Sequence, residues 1–134
     1  MAKAKLKTQK TKISAKDFLN TVKEEQLRKD SFSILGMLQE STGDKPEMWG
    51  GAIIGFGNVQ LKYASGRELD WFKAGFSPRK QGLTLYGLKN LKEQNDLLKK
   101  LGKYKIGGGC LYIKKLTDVD TEVLEKVIDK CTKT

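Results

Sequence analysis

From about residue 14 onward the apolar residues fall in short periodic runs, and the period changes along the chain. Phe18, Leu19 and Val22 recur at helical spacing behind Ser14, which with Asp17 predicts a helix start of the capping-box kind. The polar stretch from Glu24 to Lys29 predicts a joint between two helices. Asp30 or Ser31 then opens a second helical pattern, Ile34, Leu35 and Leu38, which Gly43 ends. Between Pro46 and Gly57 the character shifts. Gly50, Gly51, Gly55 and Gly57 punctuate a run holding Trp49, Ile53, Ile54 and Phe56, as in a strand that bends or that another backbone approaches closely.

Next comes alternation with a period of two. Val59, Leu61 and Tyr63 alternate with Gln60 and Lys62, and a turn follows at residues 64–67. Leu69 to Phe76 reads as one strand, with Phe72, Ala74 and Phe76 on one face and Leu69, Trp71 and Lys73 on the other. A loop over 77–82 leads to a third alternating strand, Leu83 to Tyr86. Asn90 with Glu93 predicts the cap of a helix carrying Leu91, Leu97, Leu98 and Leu101, closed by Gly102 in the left-handed conformation. Cys110 to Leu116 is a further strand. Thr117 with Asp120 starts a last helix with the stripe Val119, Val123, Val127, Ile128 and Cys131. Asp118 and Asp120 near its start and Lys130 and Lys133 near its end complement the helix dipole. The expected class is α+β, a mainly antiparallel meander packed against N-terminal and C-terminal helices.

Composition adds a division of the chain. A length of 134 residues suits one domain, but half of the net charge of +10 sits on five lysines, with no acid, in the first twelve residues. Residues 1–12 therefore read as a flexible basic tail, and 13–134 as a single domain. Such a tail can graze phosphates without fixed geometry, which makes non-specific nucleic-acid binding one expectation. No apolar run is long enough for a membrane span or a signal-peptide core, so the expectation is a cytoplasmic protein without a membrane partner. Cys110 and Cys131 are too few for a disulfide scaffold, and reduced thiols are expected.

The chemistry is bounded first by what is missing. The chain has no histidine, which removes histidine general bases and the usual Cys/His zinc sites. Gly102 and Gly107 have P-loop spacing, but Gly108 and Gly109 replace the lysine and hydroxyl residue that must follow. Nothing asks for an enzyme or a cofactor. The strongest local constellation is basic and aromatic: Arg67, Trp71, Arg79, Lys80, Tyr104 and Lys105, with Lys73, Tyr86 and Tyr112 beside them, on turns or outward strand positions. Cations with flat rings suit an anionic small molecule or an acidic protein partner. On the last helix Asp118, Glu122, Glu125 and Asp129 recur on one stripe. A hard cation such as iron could bridge Glu122, Glu125 and Asp129, although Lys126 and Lys130 flank them.

Several segments together carry a resemblance. Tyr63 to Phe72 (YASGRELDWF), Gly75 to Lys80 (GFSPRK), Leu83 to Tyr86, Leu101 to Lys105 (LGKYK), Cys110 to Leu116 (CLYIKKL) and Asp118 to Asp120 resemble, in order, the YdhG-like family of small bacterial domains. That resemblance runs from about residue 13 to the C-terminus. It implies a compact fold similar to frataxin, with terminal helices on an antiparallel sheet. One branch of that family is described as an intracellular iron chaperone for iron–sulfur cluster and haem assembly, which makes that role the alternative expectation. In frataxins the metal site is an acidic ridge on the first helix and a neighbouring strand edge; here the first helix mixes Asp17, Glu24 and Glu25 with Lys16 and Lys23.

Overall fold

The computed structural model describes residues 14–132, save 50–51, 63–65, 67, 81, 89–90 and 108–109. The expected basic tail over 1–12, the Asn90 cap and Lys133 lie outside the described residues. The chain opens with α1 (Ala15–Asn20), where the Asp17 amide donates to the Ser14 hydroxyl as the spacing predicts. The next helix, α2 (Glu25–Thr42), starts five residues earlier than Asp30. Glu24 is its cap, accepting from the amides of Gln26 at 3.2 Å and Leu27 at 3.0 Å. The joint is therefore Thr21–Glu24. Asp30, expected as a cap, is instead buried inside α2 and accepts from Gln26 Nε2 at 2.7 Å and from the distant Leu116 amide at 3.1 Å. Its side chain ties α2 to the chain entering the last helix. Gly43 ends α2 with φ 71°, donating to the Gln39 carbonyl.

Eight strands follow among the described residues: β1 (Pro46–Trp49), β2 (Ile53–Phe56), β3 (Val59–Lys62), β4 (Glu68–Trp71), β5 (Ala74–Arg79), β6 (Gly82–Tyr86), β7 (Lys105–Gly107) and β8 (Cys110–Ile113). The glycine-punctuated run that reads as one bent strand is the hairpin β1–β2. Leu69 to Phe76 is not one strand either. It breaks at Phe72–Lys73 into β4, which pairs with β3, and β5, which belongs to the main sheet. That sheet has six antiparallel strands in the order β1-β2-β5-β6-β8-β7.

The remaining helical pieces are a 3-10 turn (Leu91–Gln94) running into α3 (Asn95–Leu101), a second 3-10 turn (Leu116–Asp118) and α4 (Thr121–Thr132). The last helix is capped by Asp120, whose carboxylate accepts from the amides of Glu122 at 3.0 Å and Val123 at 3.3 Å. Val119 lies before the helix and bridges Gly102. Gly102 adopts φ 117° and ψ −136°, not the left-handed helical conformation expected there, and its missing side chain leaves room for the Asp118 carbonyl. Lys103 donates its amide to that carbonyl, and Asp120 donates to Leu101 at 2.7 Å. The exit of α3 is thus fastened to the entrance of α4.

One apolar layer explains the class. Ile54, Phe56, Ala74, Phe76, Leu83, Leu85, Leu111 and Ile113 point from one face of the sheet into a core with Leu19, Ile34, Leu35, Leu38, Leu98, Leu101, Leu124, Val127, Ile128 and Cys131. Each such side chain contributes about 1.5–3 kcal/mol by leaving water. The fold is α+β, with the helices on an antiparallel sheet, as the alternation and helical stripes predict. No helix among the described residues is long and apolar enough to cross a membrane.

Candidate functional site

Alternation puts every second residue of the six strands on the opposite, helix-free face of the sheet. On β2 and β5 those positions are Gly55, Gly75, Ser77 and Arg79; on β6 they are Gly82, Thr84 and Tyr86. On β8 and β7 they are Cys110, Tyr112, Lys105 and Gly107, with Lys114 just past β8.

One half of this face is covered. The β3–β4 hairpin returns Trp71 and Phe72 onto it, and Trp49 of β1 meets them there. Trp71 stacks on Phe72 with ring centroids 4.5 Å apart, while Trp49 stands edge-on to Trp71 at 5.9 Å and to Phe72 at 5.6 Å. Two glycines make the space. A Cβ on Gly55 would come within 2.6 Å of the Trp49 ring and 2.7 Å of Phe72, and one on Gly75 within 3.0 Å of the Phe72 ring. Trp49 and Phe72 are buried, yet they belong to this second layer and not to the main core. The buried Trp49 Nε1 has no hydrogen-bond partner among the described residues. At the foot of the hairpin Lys73 pairs with Asp44 at 3.6 Å.

The other half is a groove of about 500 Å³. Its lining carries Arg79, Lys103, Lys105 and Lys114 against Asp118 alone, with Thr84, Tyr104 and Tyr112 between them. No ion pair joins any of these four cations to a described acid. Thr84 is 5% exposed, and its hydroxyl makes no hydrogen bond to a described residue. Its neighbour across the strands, Ser77, is equally buried but donates to the Ala52 carbonyl at 2.7 Å. Tyr112 is the exposed large aromatic of this surface, at 41%.

Tyr86 marks the seam between the halves. Its ring meets Phe72 edge-on at 6.2 Å. Burial pushes its hydroxyl above the ordinary tyrosine range, while the Arg79 charge pulls it back and Cys110 and Tyr112 add to the rise. Cys131, deep in the helix layer, is pushed up to about 11 by burial, which makes it a poor nucleophile.

The structure therefore divides the six residues expected to act together. Arg79, Tyr104 and Lys105 line the groove. Trp71 is half-buried in the aromatic layer, and Lys80 is exposed on the β5–β6 turn outside the lining. Arg67 lies outside the described residues. Thr84 and Lys114 were not anticipated as site residues. Lys114 follows Tyr112 at strand spacing, a signal that its place at the end of the run obscures. Of the acidic stripe, Glu122 and Glu125 are exposed, and Asp129 accepts a hydrogen bond from the Ser41 hydroxyl. Asp118 is in the 3-10 turn and lines the groove instead. Among the described residues no three histidine, cysteine or carboxylate side chains gather where they could hold a metal ion.

No family model matches the chain, and neither a curated protein nor a solved structure matches it. The groove's own chemistry is what speaks to function.

Proposed function

We propose that this protein is a binding domain that holds an anionic small molecule in the groove over β6, β8 and β7. The observation that carries this reading is the charge of the lining: four cations, none of them ion-paired to a described acid, share it with a single carboxylate, Asp118. Cations left unpaired in a concave surface raise the local potential, and a bound anion replaces the water each loses. A volume of about 500 Å³ is in the range of small-molecule sites. The site has the means to bind and orient: Arg79 offers a planar fork, the lysines offer point charges, and Thr84 donates a hydroxyl.

Calorimetric titration with inorganic pyrophosphate tests this. The wild-type chain should bind saturably at physiological ionic strength, and the double variant Arg79→Gln/Lys114→Gln should bind at least about tenfold more weakly. Equal affinity in both proteins would remove the groove from consideration.

A further inference from the structure

We propose that the groove's ligand is a nucleotide, its phosphates on the Arg79–Lys114 end and its base stacked on Tyr112. This rests on the anion-binding reading above and adds to it the identity of the ligand's uncharged part. The strand register supplies the layout. Thr84, Tyr112 and Lys105 stand directly opposite one another across β6, β8 and β7. One step along, Arg79 is opposite Gly82, and the Lys114 backbone closes on Gly82, with its Cα 2.6 Å from where a Cβ would stand. Two cations thus flank a residue with no side chain, and the open Thr84 hydroxyl lies next in line. That is the end a phosphate chain would occupy, held by the Arg79 and Lys114 side chains and the Thr84 hydroxyl.

The ring needs a separate explanation. Tyr112 leans over Gly107, whose Cβ position is 3.5 Å from the ring edge, so the strand backbone supports one side of the ring. Its outer part stays exposed, at 41%, amid lysines. A phosphate or a simple carboxylate has no use for a supported, open aromatic face, whereas a base does. Asp118 sits in the same lining as its single carboxylate. An anion-only site would be weakened by that charge, but a nucleoside has hydroxyl and amino donors for a carboxylate to accept.

The test compares tripolyphosphate with ATP, GTP, CTP and UTP by calorimetry at physiological ionic strength. At least one nucleotide should bind about tenfold tighter than tripolyphosphate, the contribution expected of one stacked base. Tyr112→Leu should erase that difference, bringing nucleotide affinity down to that of tripolyphosphate in the same variant. Gly107→Val, which displaces the ring without removing it, should erase most of it too. If all five ligands bind alike, or if Tyr112→Leu leaves the nucleotide preference intact, the nucleotide assignment is overturned while the anion groove stands. If wild-type protein binds neither tripolyphosphate nor any nucleotide, both readings fall together.

Discussion

The two halves of the helix-free face belong to one sheet and differ in what the chain laid over them. Over β1, β2 and β5 the face presents Gly55 and Gly75, and the β3–β4 hairpin fills the space with Phe72 and Trp71 against Trp49. Over β6, β8 and β7 the face presents Thr84, Tyr112, Lys105 and Lys114, and no described element covers them. Burial of aromatic surface makes the first half a contributor to stability. In the second, Arg79, Lys103, Lys105 and Lys114 repel one another, and on the proposed reading a bound anion would relieve that repulsion. Tyr86, touching Phe72 on one side and feeling Arg79 on the other, belongs to both.

The contrast can be broken most forcefully at Phe72. Truncating this buried ring by Phe72→Ala should cost about 3–5 kcal/mol in urea unfolding, as for other core phenylalanines. A loss below about 1 kcal/mol would mean that the hairpin layer is not a packed one. Next in size is Gly55→Ala, which forces a methyl into the Trp49 and Phe72 rings and should cost about 1–3 kcal/mol. At the bare half, Arg79→Gln and Lys114→Gln should each change stability by no more than about 0.5 kcal/mol, since both side chains are exposed and without acidic partners. A destabilisation comparable to that at Gly55 would show that these cations hold the fold.

The smallest effect sharpens the seam. Arg79→Gln should move the Tyr86 titration further upward, because it removes the charge that opposes burial. Pyrophosphate bound in the groove should move it in the same direction, and tyrosine ring NMR reads both. The sign for stability follows. A tyrosine whose folded value is raised contributes stability that is complete below its unfolded value of 10.0 and is lost as pH rises through the folded value. An unmoved or lowered Tyr86 titration would separate the aromatic layer from the groove.

The architecture was largely legible because alternation and helical stripes are local signals. The Ser14 cap, the Gly43 stop and the β6 and β8 strands follow from neighbours in sequence. The misreadings share one cause. Trp71, Phe72, Lys73 and Ala74 alternate as one strand would, and only the space over Gly55 and Gly75 turns Phe72 aside and breaks β4 from β5. Asp30 reads as a helix cap, but its partner is Leu116, 86 residues away. The candidate residues divide in the same way. Arg79, Tyr104 and Lys105 announced themselves as cations beside aromatics, yet the same signal drew in Trp71, which packs inward on its neighbours. Thr84 gave no sign, since only the strand register sets it opposite Tyr112.

The most direct measurement is a backbone amide NMR titration of the protein with inorganic pyrophosphate. The account predicts saturable shifts at Thr84, Lys105, Tyr112 and Lys114, with Trp49, Trp71 and Phe72 unmoved. Shifts centred on Trp71 and its neighbours, or none at any concentration, would contradict it.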